Sequence, residues 1–131
     1  MIGIVVVTHG QLAEELVRAA RTIVGEIPEI AAVSIGWGDD VAAARAAVER
    51  ALAELGAQGA LLLTDMFGGT PTNVALSYLA PGVEIVTGVN LPMLIKVSTH
   101  RDGALGDLAR LAREQGRDSI AVASELLGRN A

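Results

Sequence analysis

The sequence predicts an α/β fold: a single doubly wound, mostly parallel sheet with helices on both faces. Two observations predict it. Short aliphatic runs, typical of strands buried on both faces, alternate with segments whose apolar residues recur at helical spacing. The length of 131 residues also suits one core, so we expect one domain over residues 1–131.

The predicted strands are continuous runs of Val, Ile, Leu and Ala. Only three aromatic residues are present, so the core must be aliphatic. A short segment near the C-terminus has the same character as the earlier runs. The five predicted strands cover 2–7, 30–35, 60–64, 83–87 and Ser119–Ala123.

The first two predicted helices have recognisable ends. The first covers about 11–24 and is followed by Gly25, a residue that commonly ends helices. The second begins after a capping aspartate, either Asp39 or Asp40, and stops at Gly56.

The later helices are predicted by proline and threonine. Thr70 can cap the third helix and Pro71 can be its first residue, with an end near Leu79. Pro92 can open a fourth helix, and a last long helix ends near Gly116.

Composition excludes several functions. The ten basic residues are spread thinly over a chain of net charge -5, so we expect no nucleic-acid partner. Without cysteine, the chain has no disulfide, thiolate chemistry or Cys-ligated metal. The apolar N-terminus lacks the features of a signal peptide, and no segment is long enough to span a bilayer, so we expect a cytoplasmic protein.

The candidate site follows from the expected strand order. Open parallel sheets bind ligands beyond the carboxyl ends of their strands, where the strand order reverses. In the flavodoxin-like order 2-1-3-4-5, assumed here, this crevice lies between strands 1 and 3. His9 follows strand 1 and Asp65 follows strand 3. We therefore expect these two side chains to face each other.

A histidine and an aspartate in this position can carry a phosphoryl group. A carboxylate that accepts the proton of one ring nitrogen leaves the other nitrogen free to attack. Backbone N–H groups of Gly68, Gly69 and Thr70, at the start of a helix, would bind the phosphate. This chemistry requires no cofactor and no metal.

Each residue also has an ordinary structural interpretation. A single histidine or aspartate after a strand is more often part of a loop, and a Gly-Gly-Thr-Pro turn is an ordinary helix start. His100 lies in the segment 98–103, which we interpret as a solvated loop. Trp37 is either an exposed contact for a partner protein or a residue that covers the sheet edge.

Three segments resemble one family. Val7-Thr8-His9-Gly10 resembles the start of mannose-family Enzyme IIA domains of the sugar phosphotransferase system. The run from Thr64 to Asn73, which reads TDMFGGTPTN, is similar to that family's second signature. The run from Gly88 to Leu94, which reads GVNLPML, is similar to its third. The similarity covers nearly the whole chain.

The resemblance implies a phosphotransferase component. The family's phosphorylated histidine falls on His9 and its supporting aspartate on Asp65. In this family the phosphoryl group comes from HPr and goes to an Enzyme IIB, so the resemblance implies the same two partners here. We expect the Enzyme IIB on a separate chain. We expect contact with the membrane only indirectly, through the transporter. The resemblance also implies a homodimer that exchanges a C-terminal strand, which would fall near Ser119–Ala123. The role is either in sugar uptake or purely regulatory.

Three other functions remain open. A receiver domain would be phosphorylated on Asp65, but such domains hold Mg²⁺ with carboxylates after strand 1, where this sequence has none. The phosphotransfer subunit of dihydroxyacetone kinase also uses a histidine after strand 1. A binding module in which His9 never reacts is the non-enzymatic alternative.

Overall fold

One sheet of four parallel strands, in the order β2-β1-β3-β4, forms the centre of the molecule. The computed structural model describes residues 1–56 and 58–129. The strands are β1 (Gly3–His9), β2 (Ile30–Ile35), β3 (Ala60–Thr64) and β4 (Val83–Thr87). The helices are α1 (Leu12–Val24), α2 (Val41–Glu54), α3 (Gly69–Leu76), α4 (Leu91–Ser98), α5 (Leu105–Asp118) and α6 (Ala123–Leu127). The predicted fold class is confirmed.

Both faces of the sheet are covered, which explains the unbroken aliphatic runs. Side chains alternate between the faces of a strand. Ile4 and Val6 of β1 pack with α1, α4 and α5 on one face. Val5 and Val7 pack with α2 and α3 on the other. All four are fully buried, so β1 needs an apolar residue at every one of these positions.

Two of the predicted helix starts can now be decided. Asp40 caps α2, because its carboxylate accepts a hydrogen bond of 2.7 Å from the backbone N–H of Ala43. The prediction that Thr70 caps α3 is wrong. Gly68 is the cap, with a φ of 86° that favours glycine, and the helix begins at Gly69. This helix also ends earlier than expected, at Leu76.

The expected strand over Ser119–Ala123 is wrong for the single chain. The helix α5 continues to Asp118, the next residues form no strand, and α6 begins at Ala123. A strand needs a neighbour to which its backbone can hydrogen-bond, and this segment pairs with none in the described chain. Ile120 and Val122 are instead exposed.

The segment 98–103 is not the wholly solvated loop that we expected. His100 is exposed, but the side chain of Arg101 is buried beside the amino ends of β1 and β2. Its guanidinium donates hydrogen bonds to the carbonyl oxygens of Ile2, Pro28 and Glu29. Arg101 therefore ties this loop to the two strands. No helix in the described residues is both long and apolar enough to cross a membrane.

Candidate functional site

The candidate site lies at the carboxyl ends of β1 and β3. The chain leaves β1 for β2 on one side and later returns to β3 on the other, so the strand order reverses here. His9 is the last residue of β1, and Asp65 directly follows β3. The strand order that we assumed is confirmed for these four strands, and it brings the two predicted residues together.

His9 and Asp65 form a hydrogen-bonded pair. The His9 Nδ1 atom lies 2.8 Å from Asp65 Oδ2, which also accepts the backbone N–H of His9 at 3.0 Å. The other oxygen, Oδ1, accepts the N–H of Met66 at 3.0 Å. Because a carboxylate only accepts, the proton of a neutral imidazole belongs on Nδ1. The Nε2 atom then carries the free lone pair.

The end of β1 is fixed by hydrogen bonds on both sides of His9. The buried hydroxyl of Thr8 accepts the N–H of Ala13 at 2.7 Å and so connects the strand to the start of α1. The N–H of Gly10 donates to the Ile35 carbonyl of β2 at 2.8 Å. Gly10 has a φ of 57°, which allows the chain to turn directly into α1. The backbone of His9 is therefore held firmly.

The turn between β3 and α3 is held by two threonines. The Thr72 hydroxyl is fully buried, hydrogen-bonds to the Met66 carbonyl and lies 2.8 Å from the Thr64 hydroxyl. Thr64 is the last residue of β3 and Thr72 lies in α3, so this contact fixes the helix relative to the strand. The position of Asp65 follows from it.

The first turn of α3 lies beside the imidazole. A Cβ atom built on Gly69 would be 3.0 Å from His9 Cε1 and 3.1 Å from Nε2, so only glycine allows this approach. A Cβ on Gly68 would have nothing within 4 Å. In the described part of the chain, the N–H groups of Gly68, Gly69 and Thr70 donate to no protein acceptor. These donors remain available near Nε2.

Trp37 is the site residue whose role sequence reasoning left undecided. Its indole is stacked on the imidazole of His9, with ring centroids 5.1 Å apart and planes 19° apart. The strand order contained the signal. His9 pairs with Ile35 across β1 and β2, so a residue two positions beyond Ile35 lies next to His9. Trp37 neither covers the sheet edge nor packs into the core, and it is 83% exposed.

The rim of the site is apolar and open. Phe67, 77% exposed, and Met66 lie on the loop after β3, opposite Trp37 on the loop after β2. Among the described residues, no group of three or more His, Asp or Glu side chains is arranged to hold a metal ion.

The fold and the site define an α/β domain with a carboxylate-paired histidine at the point where the strand order of its sheet reverses. Residues 3–110 match the family described as PTS system fructose IIA component, EIIA-man, and the chain belongs to this family. The family consists of Enzyme IIA components of the sugar phosphotransferase system, as the resemblance implied.

Relatives of known name support the same assignment. The mannose-specific EIIAB component of Escherichia coli strain K12 is 34% identical over 91% of this chain, which spans 38% of that protein. The fructose-specific EIIA component of Bacillus subtilis is 32% identical and is covered over 90% of its length. The mannose/sorbose-specific IIA subunit of Enterococcus faecalis superimposes with a TM-score of 0.86 at 30% identity, over 92% of this chain and 93% of that one.

Proposed function

We propose that this chain is a phosphocarrier that accepts a phosphoryl group from phospho-HPr on His9 and passes it to an Enzyme IIB on another chain. The observation that carries the proposal is the state of the two ring nitrogens. Nδ1 is held by Asp65, whereas Nε2 makes no hydrogen bond among residues 1–56 and 58–129 and lies beside unused N–H groups.

The transfer requires no group that the chain lacks. The Nε2 lone pair attacks phosphorus, a P–N bond forms, and the bond between phosphorus and HPr breaks with its electron pair returning to HPr. The proton on Nδ1 stays in its hydrogen bond to Asp65. The phosphorylated ring then carries a positive charge, which the Asp65 carboxylate stabilises at 2.8 Å. Transfer to Enzyme IIB is the same step in the opposite sense.

The N-terminus of α3 supplies the phosphate donors. Among the described residues, the N–H groups of Gly68, Gly69 and Thr70 have no protein acceptor, and they lie at the start of a helix, where the helix dipole also favours negative charge. Donors fixed before the reaction stabilise the oxygens of the moving phosphoryl group without rearrangement.

The partners of this reaction are proteins, and the rim suits them. Trp37, Met66 and Phe67 place apolar side chains in solvent around His9, and exposed aromatic residues are common at protein interfaces. The relatives are named for mannose, fructose and sorbose, so the family does not fix the sugar. We place the reaction in the cytoplasm, in sugar uptake or in its regulation.

The decisive experiment incubates the protein with phospho-HPr and measures its mass. We expect one phosphoryl adduct that is labile in acid and stable in base, as a P–N bond is. A base-labile adduct that requires Mg²⁺ would be an acyl phosphate on Asp65 and would favour the receiver alternative. No adduct at all would favour the binding module.

The assembly that we propose is a homodimer that exchanges C-terminal segments. Four large apolar side chains after α5 are exposed in the single chain: Ile120, Val122, Leu126 and Leu127. The strand β4 is an edge of the sheet, and a groove of about 350 Å³ runs beside it, lined in part by Ile85, Val86, Arg110 and Arg113. A partner's segment laid along β4 would pair an open edge and cover these side chains.

Sedimentation of point variants tests the dimer. Because Val122 is exposed in the single chain, Val122→Asp should leave the fold intact and weaken association. Ile23→Asp is the matched control, since Ile23 is equally exposed but lies on α1. A monomeric parent, or equal association of both variants, would contradict the strand exchange.

A further inference from the structure

The position of Trp37 is not explained by a contribution to the stability of the fold. A tryptophan normally contributes to stability by burying its large surface, yet this side chain is 83% exposed. Its one aromatic contact among the described residues is the imidazole of His9. The chain nevertheless holds the loop of Trp37 firmly, which indicates that the placement matters for the histidine.

A short turn fixes the backbone around Trp37. The Asp39 carboxylate accepts the N–H of Gly36 at 2.8 Å, and the N–H of Asp39 donates back to the Gly36 carbonyl at 3.1 Å. The indole also lies against Gly10, where a Cβ atom would be 3.5 Å from Trp37 Nε1. Trp37 is therefore anchored on both sides although its ring is largely in solvent.

The hydrogen bond to Asp65 leaves one motion of the His9 ring unrestrained. This hydrogen bond restrains Nδ1 but does not by itself fix both side-chain torsions of His9. A combined change of the two torsions rocks the plane of the ring and displaces Nε2 relative to Gly69. A second ring stacked on the imidazole face opposes the rocking directly.

We propose that Trp37 is a positioning residue for phosphoryl transfer: it stacks on the imidazole of His9 and holds Nε2 at the N-terminus of α3. This role rests on the proposed phosphocarrier function. The electron-rich indole face also favours the cationic ring that phosphorylation produces. A stacked aromatic pair changes an equilibrium by between about twofold and tenfold, and we expect an effect of this size on the transfer rate.

Single-turnover transfer from phospho-HPr tests the proposal with three variants. Trp37→Leu should lower the rate at saturating phospho-HPr by about twofold to tenfold, with the half-saturating concentration unchanged. Trp37→Phe, which keeps an aromatic ring, should recover most of the rate. Ile23→Ala is the control, because Ile23 is an exposed apolar side chain in the last turn of α1, outside the site, and it should retain the saturating rate.

A second measurement does not depend on transfer. In the unphosphorylated protein, the ring current of Trp37 should displace the NMR signals of the His9 ring protons, and these signals should move in Trp37→Leu. His100, the other histidine, is exposed and serves as the internal reference.

The outcomes separate the two proposals. Unchanged His9 signals, or a Trp37→Leu rate equal to that of the parent, would overturn the positioning role. A change in the half-saturating concentration alone would also overturn it and would make Trp37 a docking contact. A parent protein that takes no label while its His9 signals do respond to Trp37→Leu would overturn the phosphocarrier function instead.

Discussion

The two ends of the sheet use polar side chains in opposite ways. At the amino end, the Arg101 guanidinium is buried and donates to three backbone carbonyls. At the carboxyl end, His9 is 22% exposed, and among the described residues only one of its two ring nitrogens is hydrogen-bonded. The hydrogen bonds of Arg101 join parts of the fold and stabilise it, whereas a side chain with a free ring nitrogen in solvent can react.

The charge of Arg101 illustrates the cost of the first arrangement. Burial lowers the pKa of Arg101 below its ordinary value, because desolvation penalises the charged form, while Glu29 and Asp102 act in the opposite direction. The three carbonyl oxygens replace the water that the guanidinium loses. Arg101 thereby connects the segment after α4 to the amino ends of β1 and β2.

The largest effect that we expect is at His9. His9→Gln should abolish labelling by phospho-HPr, because an amide nitrogen has no lone pair available for attack. Thermal unfolding should change little, since His9 is partly exposed and its backbone contacts remain. Labelling of His9→Gln at the parent level would show that another residue carries the phosphoryl group. His9 would then no longer differ from Arg101 as a reactive side chain.

Asp65→Asn should slow transfer severely without unfolding the protein. The amide can still accept from Nδ1 and fill the same space, but it cannot stabilise the positive charge that develops on the ring. In Ser-His-Asp proteases the equivalent change costs about four orders of magnitude, an upper guide here because the histidine is itself the nucleophile. Stopped-flow transfer measures the rate, and a loss of less than about threefold would show that Asp65 only shapes the loop.

Arg101→Met should lower the stability of the protein and leave the transfer rate unchanged, which is the reverse of the effects expected at His9 and Asp65. It leaves the carbonyl oxygens of Ile2 and Pro28 without the Arg101 donor, whereas that of Glu29 still accepts the N–H of Ile4. The free energy of unfolding should fall by at least about 2 kcal/mol. Urea denaturation measures this loss. The transfer rate per folded molecule should stay at the parent value, and a slowed rate would show that the two ends are coupled.

The fold and the centre of the site could be predicted from the sequence for physical reasons. The aliphatic runs and helical periodicities record burial directly, and parallel strands bring their carboxyl ends to one edge, which places His9 beside Asp65. Trp37 and Arg101 were not resolved, because their roles depend on three-dimensional neighbours rather than on local pattern. The stack of Trp37 follows from the register of β1 and β2, and Arg101 lies 99 positions from the Ile2 carbonyl that it binds.

The prediction of a strand over Ser119–Ala123 was wrong for a related reason. An alternation of apolar residues such as Ile120 and Val122 indicates a strand only if an edge is present to pair with. Within the described single chain this segment pairs with neither edge strand, β2 or β4, and in the proposed dimer the partner's β4 would supply the edge.

Gly68 and Gly69 form a matched pair that tests the free side of His9. Both have positive φ, so alanine at either position should cost about 1 kcal/mol of stability. Only Gly69→Ala places a methyl group about 3 Å from Nε2. The imidazole would have to move away from this methyl group. Because a displacement of about 1 Å can slow a reaction by about a hundredfold, Gly69→Ala should transfer slowly and Gly68→Ala nearly normally. Equal transfer rates would show that the turn is only structural.

The smallest effect concerns Asp40, which lies at the carboxyl end of the sheet but behaves like Arg101. Its carboxylate caps α2 and accepts the N–H of Ala43 at 2.7 Å. Asp40→Ala should therefore lower the free energy of unfolding by about 1 kcal/mol, the usual cost of a lost N-cap. Transfer should stay at the parent rate, because Asp40 does not hold the turn of Trp37.

The neighbouring residue Asp39 does hold this turn, through its hydrogen bond to the N–H of Gly36. Asp39→Ala should therefore slow transfer with a smaller loss of stability. If both variants slowed transfer equally, location at this end of the sheet, rather than the contacts of each side chain, would determine which residues serve the site.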